Sequence, residues 1–329
     1  MVRAVIRLAA MQVPQVRALV ESRRAALQER DAALMERGAA LQERDAALRT
    51  ATALQEHCRD IEAALARVTA DTFRSMLDAC APETWLRLML NDADLWLPRD
   101  TLRTMVHCAF RRPDGRLLLH VEEAHLRWMM ERLAEGGTFL DVGCATGATT
   151  LPVAVILGGR VRIISYEPAT AARNLLTATL ERNRIEGVEL RPVAVADRPG
   201  TAEFREFQPD ETGEIPFLPE TSTLVGTIIA DRPHLSLQVP VVTLDDDALP
   251  RCGADPVVVK IDVEGFETFV LRGAAALIAA RRPWFCIDIH SDPFGDGTVT
   301  TESAVRDFLA ERDYRFETMG HVLLCSPLG

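Results

Sequence analysis

Lysine is almost missing from this sequence: of 37 basic residues, only Lys260 is not an arginine. Basic charge is in deficit altogether, with 37 Lys and Arg against 48 Asp and Glu and a formal net charge of −11. That balance excludes a broad phosphate-binding face, and no nucleic-acid partner is expected. The seven cysteines are scattered and never spaced as C-x-x-C, so neither a disulfide framework nor a zinc knuckle can be read from them. A reducing, cytoplasmic setting fits. Long apolar runs are also lacking. The charge-free stretch over 8–16 is interrupted by Gln12, Pro14 and Gln15, too short for a membrane span and poor as a signal peptide. Residues 1–20 read as an amphipathic segment able at most to make weak contact with a membrane surface.

The 329 residues are enough for two structural units at ~150 residues per domain, and 48% hydrophobic with 26% charged residues excludes wholesale disorder. A seven-residue repeat over 25–45 sets Leu27, Leu34, Leu41 and Leu48 in phase among Ala, Glu, Gln and Arg, all strong helix formers. Three residues before each Leu stand Arg24, Asp31, Gly38 and Asp45, so only one of the two seam positions is apolar. These repeats read equally well as a solvated helical spacer or an oligomerising stalk. Leu54, Cys58, Ile61, Leu65 and Val68 then alternate four and three apart, the spacing that turns an apolar seam toward a partner helix. Residues 21–83 are therefore expected to form a long helix or coiled coil, and the chain a homo-oligomer.

Residues 84–136, with Trp85, Trp96 and Trp128 among Leu and Met, read as helices and one hairpin leading into a larger domain. The hairpin is expected to pair 106–110 with 117–121 around Pro113-Asp114-Gly115. From 137 onward short apolar strands alternate with helical stretches. Strands are expected at 139–142, 161–166, 188–195, 257–261, 284–289, 314–317 and 322–325, and helices after Gly147 and at 170–183, 266–279 and 301–311. This is the pattern of an α/β domain over 137–329, whose parallel sheet binds ligands at the carboxyl ends of its central strands.

The strongest local signal is Phe139-Leu140-Asp141-Val142-Gly143-Cys144-Ala145-Thr146-Gly147, an apolar strand running into an acidic, glycine-bearing turn. Its D-x-G-x-x-x-G spacing differs from the G-x-G-x-x-G of dinucleotide enzymes, and Asp141 suits a ligand with a cationic amino group better than a phosphate. Glu167, about 20 residues on, closes the second strand where such sheets place a ribose-hydroxyl acceptor. A third acid, Asp197, closes the third strand.

These residues resemble class I S-adenosylmethionine-dependent methyltransferases, and within them the FkbM family. The resemblance runs from about Glu122 to the end of the sequence. It is carried by the Gly turn, Tyr166-Glu167-Pro168, Val193 to Asp197, Val242-Thr243-Leu244-Asp245, Leu271-Arg272-Gly273 and, most specifically, Val259-Lys260-Ile261-Asp262-Val263-Glu264-Gly265-Phe266-Glu267. The family usually has Ala-Asn at the turn, where this chain has Cys144-Ala145-Thr146. The resemblance implies a Rossmann-like sheet of seven strands, mostly parallel with the last antiparallel, and S-adenosylmethionine as cofactor. It implies that Asp141, Gly143, Cys144, Ala145 and Gly147 hold the methionine part, that Glu167 takes the ribose hydroxyls, and that Asp197 faces the adenine amino group. Asp262 and Glu264 then fall near the transferable methyl.

Strand alternation puts Lys260 and Asp262 on one face, where the compact ammonium can pair with Asp262 or Glu264. His290 and Asp292 fall at the same rim, and Asp262 or His290 is a candidate base for an acceptor hydroxyl. Asp262, Glu264 and His290 are also residue types that hold divalent ions, at a spacing that is not diagnostic. The excursion over 200–242, with a hairpin, an acidic loop at 209–220, Ser222 and His234, is where acceptor selection is expected. The expected function is O-methylation of a sugar, glycolipid, polysaccharide or polyketide-like hydroxyl. The competing reading is a non-catalytic coiled-coil scaffold carrying a vestigial cofactor domain.

Overall fold

The computed structural model describes residues 2–111, 116–207, 234–253, 256–290 and 302–328. The chain divides into two compact units, Met1–Leu65 and Ala66–Gly329. The described part of the first unit is helical, belonging to α1 (Val2–Asp78), as the Ala-, Leu- and Glu-rich repeat requires. Leu48 and Leu54 on it are 65% and 60% exposed. No helix among the described residues is long and apolar enough to cross a membrane.

The last turns of α1 belong to the second unit, where Phe73 and Leu77 are buried with Leu90, Leu95, Leu97 and Leu102. The boundary expected near residue 84 therefore falls inside the globular unit. Where helices were expected, β1 (Trp85–Leu90) and β2 (Ala93–Pro98) form an antiparallel hairpin. The reason is visible along β2: Ala93, Leu95 and Leu97 are buried, Asp94 is exposed and Trp96 half-buried, a period of two. Asn91, at φ 49°, supplies the left-handed turn residue.

After α2 (Arg99–Thr104), a 3-10 turn occupies Val106–Cys108. The expected hairpin is therefore shorter, pairing β3 (Ala109–Arg111) with β4 (Leu117–Leu119); its Pro-Asp-Gly tip lies outside the described residues. These four strands make one small sheet in the order β2-β1-β4-β3, followed by α3 (Glu123–Arg132).

The alternation then proceeds through β5 (Gly137–Val142), α4 (Thr150–Leu157), β6 (Val161–Tyr166), α5 (Thr170–Asn183) and β7 (Val188–Arg191). Next come β8 (Ala194–Val195), β9 (Gly200–Phe207), β10 (His234–Val242), α6 (Leu244–Asp247), β11 (Val257–Ile261), α7 (Glu267–Arg272) and α8 (Ala275–Arg281). The last elements are β12 (Trp284–Asp288), α9 (Glu302–Ala310), β13 (Tyr314–Met319) and β14 (Val322–Pro327). Seven strands form the central sheet in the order β7-β6-β5-β11-β12-β14-β13, parallel except for β14. This is the class I methyltransferase-like architecture, with the strand order reversing at β5.

Two expected elements are broken. The strand expected over 188–195 divides at Pro192, which has no N–H for a ladder. β7 stays in the main sheet, and β8 pairs with β10 in a second sheet ordered β8-β10-β9. The helix expected over 266–279 divides at Gly273, where a Cβ would run into the Ala196 carbonyl oxygen.

Candidate active site

A cavity of about 300 Å³ opens at the carboxyl ends of β5, β6, β11 and β12. Its floor is the turn after β5. Gly143 and Cys144 donate backbone N–H groups to the Tyr166 carbonyl at 3.0 and 3.1 Å, tying that turn to the end of β6. Gly143 has φ 85°, and a Cβ on it would strike the Asp262 carbonyl oxygen, so only glycine allows the ends of β5 and β11 to approach this closely. Ala145, at φ 46°, continues the turn.

Gly143, Cys144, Ala145 and Glu167 all line the cavity. Glu167 is 6% exposed; its Oε2 accepts the Ala145 N–H at 2.8 Å and its Oε1 accepts the Ala169 N–H at 2.7 Å. Burial pushes its carboxyl up to about 7, against the opposite pull of those two N–H groups and Arg173.

The other three residues assigned to the cofactor lie outside the lining. Asp141 is wholly buried beneath the turn, where Oδ2 accepts from Thr150 Oγ1 at 2.6 Å and Oδ1 has no hydrogen-bond partner among the described residues. Burial raises its carboxyl to about 6, tempered by Lys260 on the neighbouring strand. Gly147, at φ 94°, is a packing position: a Cβ there would meet Leu176 and Leu151. Asp197 follows β8 and lies 3.5 Å from Arg198. Apolar Val193, Ala194, Val195, Phe204 and Phe266 line the cavity instead.

The opposite wall brings together all four residues assigned to catalysis: Lys260, Asp262, Glu264 and His290. Lys260 donates to Asp262 Oδ2 at 2.8 Å and lies 3.9 Å from Glu122 Oε2. Burial opposes its charge, but Asp262, Glu122 and Asp141 raise its pKa well above the usual value. For Asp262, burial is likewise outweighed; Lys260 and His290 hold its carboxyl below the usual range, making it a weak base.

His290 sits among three carboxylates. Its Nδ1 lies 2.9 Å from Glu267 Oε1, and its Nε2 lies 3.4 Å from Glu264 Oε1 and 3.8 Å from Asp262 Oδ1. Burial favours the neutral ring, but Glu264, Glu267 and Asp262 together push the pKa up to about 11. With carboxylates facing both ring nitrogens, the charged imidazolium is the favoured form when no cation is bound.

Sequence reading missed Asp288, at the end of β12, which also lines the cavity. It is 7% exposed, and burial, with Asp262 adding to it, raises its carboxyl to about 7. Its signal was present: an acid between the apolar run Phe285-Cys286-Ile287 and Ile289, two residues before His290. Glu122, His107 and His321 line the cavity without any such local pattern. Asp292, Ser222 and the 209–220 loop lie outside the described residues, as does the side chain of His234.

The profile of the methyltransferase FkbM domain matches residues 141–316, more than half of the chain, and the chain belongs to this family. Among solved structures, the chain is similar to the FkbM methyltransferase of Methylobacillus flagellatus KT, at 17% identity and a TM-score of 0.39. That match covers 58% of this chain and 44% of the other, so it spans under half of that protein's length. A precorrin-6y C5,15-methyltransferase from Geobacter metallireducens GS-15 matches at 11% identity and TM-score 0.36, over 66% of this chain and 90% of that one. Aeropyrum pernix fibrillarin, solved with natively bound S-adenosyl-L-methionine, matches at 14% identity and TM-score 0.35, over 66% and 81%. No curated protein sequence matches the chain.

Proposed function

We propose that this chain is an S-adenosylmethionine-dependent O-methyltransferase acting on a hydroxyl of a sugar, glycolipid, polysaccharide or polyketide-like molecule. The observation that carries this reading is one cavity with two chemically distinct walls. On one side the Gly143–Ala145 turn and Glu167 form a backbone-lined cradle ending in a carboxylate. On the other stand Asp262, Glu264, Asp288 and His290. Membership of the FkbM family supports the cofactor.

The residues fit that cofactor. Glu167 presents a carboxylate to ribose hydroxyls, and Val193, Val195 and Phe204 give an aromatic ring an apolar surface. The negative wall complements a sulfonium and an ammonium group. The cofactor supplies an electrophilic methyl; the chain's own residues orient the acceptor oxygen in line with it and take up its proton. Protonated His290 is suited to holding the wall together, so the proton is assigned to a rim carboxylate.

An experiment with two readouts tests this. Calorimetry with S-adenosylmethionine and its demethylated product should show binding, and transfer of a labelled methyl to a panel of glycans and hydroxylated small molecules should identify the acceptor class. Absence of cofactor binding by the intact protein overturns the reading, and equal affinity for NADH would favour a dehydrogenase instead. Binding without transfer to any hydroxyl would favour the scaffold reading. We further propose that exposed Leu54, Leu65 and Val68 on α1 form a seam with a second copy of the chain.

A further inference from the structure

At the cavity rim, one oxygen each from Asp262 and Asp288 and one ring nitrogen of His290 lie within 4.8 Å of one another. Two further observations mark this cluster as more than a gathering of acids. Asp288 is 93% buried by the complement of its 7% exposure and lines the cavity; its Oδ2 lies 3.3 Å from His321 Nε2, while its Oδ1 has no hydrogen-bond partner among the described residues. A buried carboxylate oxygen without a donor is costly unless something positive meets it. His290, for its part, is held from behind: its Nδ1 faces Oε1 of wholly buried Glu267, which also accepts the Gly265 N–H at 2.9 Å. A carboxylate behind one ring nitrogen is the arrangement that orients a metal-binding imidazole through the other. Nε2 is thereby turned toward Glu264 Oε1, 3.4 Å away, and Asp262 Oδ1, 3.8 Å away. Lys260 occupies the other oxygen of Asp262, Oδ2, and leaves Oδ1 facing the cluster.

We propose that Asp262, Asp288 and His290, whose ring gives up its Nε2 proton to solvent as the ion enters, form a binding site for a divalent cation whose remaining positions open into the cavity. Two carboxylates and an imidazole make a mixed oxygen and nitrogen donor set, better suited to a first-row ion such as Mn2+ than to Mg2+, which prefers oxygen alone. An open position on the ion takes water or the acceptor's hydroxyl oxygen, holding that oxygen in the same cavity that the Gly143 turn lines. This role for the ion rests on the methyltransferase reading; the existence of the site does not.

The full-length protein, stripped with EDTA, is titrated with MnCl2 and free Mn2+ is followed by electron paramagnetic resonance. S-adenosylhomocysteine affinity is measured separately without metal, alongside the melting curve of each variant. Saturable binding of a single Mn2+ per chain is expected. Asp288→Asn and His290→Gln should each weaken it by at least ~10-fold, and Glu267→Gln by about 10-fold through loss of ring orientation. No saturable Mn2+ binding by the unsubstituted protein, or unchanged binding in folded Asp288→Asn and His290→Gln, overturns the site. Should S-adenosylhomocysteine fail to bind while Mn2+ binds as described, the methyltransferase reading falls and the metal site stands.

Discussion

The only lysine of the chain, Lys260, is buried at the carboxyl end of β11 and places its Nζ 2.8 Å from Asp262 Oδ2. It is also the strand neighbour of Asp141 and lies 3.9 Å from Glu122. A compact ammonium therefore serves three carboxylates at once, in a space where the planar fork of an arginine would need more room. Lys260→Met should cost about 3 kcal/mol in urea unfolding, because it leaves buried Asp141 and half-buried Asp262 without their countercharge. Lys260→Arg should recover only part of that stability. A wild-type denaturation midpoint in Lys260→Met would show that the pair is dispensable.

Glu167 gives a pH dependence of definite sign. Its carboxyl stands near 7 in the folded chain, raised from 4.5 chiefly by burial, with Glu206 adding to the rise and Arg173 opposing it. The folded state then binds more protons than the unfolded one between these values, so this group's contribution to stability falls as pH rises from about 4.5 to 7. Cofactor binding runs the other way, because ribose hydroxyls donate to the ionised carboxylate. S-adenosylhomocysteine affinity should increase with pH through about 7, and Glu167→Gln should flatten that dependence while weakening binding by ~1–3 kcal/mol. Calorimetry at pH 5.5, 7 and 8.5 measures both effects.

The turn after β5 should be intolerant at Gly143. Gly143→Ala combines φ 85° with a collision at the Asp262 carbonyl oxygen, and is expected to cost about 1–3 kcal/mol and to disturb both walls of the cavity together. Thermal melting and cofactor titration on the same sample check this, and a variant with unchanged Tm and affinity would contradict the close approach.

The burial of Phe73 and Leu77 fixes where the chain can be shortened. A chain beginning at Ala66 should keep its fold and its cofactor affinity. One beginning at Thr84 loses both side chains from the core around Leu90 and Leu97, at about 2–5 kcal/mol each, and should be poorly folded. Circular dichroism separates the two.

Self-association is checked by light scattering. The full chain should be oligomeric and the chain beginning at Ala66 monomeric, since the latter lacks Leu54 and has only the end of the seam. A monomeric full-length chain would mean that the exposed leucines of α1 are merely solvated.

The sequence by itself determined the alternating α/β core, the Gly143 turn, the strand-end acids and the Lys260 to Glu267 run. These are local signals: a period of two or of three to four, a residue that tolerates positive φ, an acid at the end of an apolar strand. It also determined that α1 is helical, because its residues favour a helix without help from neighbours. Tertiary structure decided the rest. The 85–98 segment became a hairpin whose apolar face packs with Leu151, Leu176 and Leu180 of α4 and α5, Pro192 sent β8 to a different sheet from β7, and the helix expected over 266–279 divided at Gly273, where the Ala196 carbonyl leaves no room for a side chain. Protonation of His290 was likewise beyond reach from the sequence, since Glu264 and Glu267 act on it from residues 23 to 26 positions away. Asp288 acquires its meaning only when β11 and β12 pair in register and bring it beside Asp262; the charge of a buried side chain is set by what the fold places within a few ångströms, and spacing along the chain does not carry that distance.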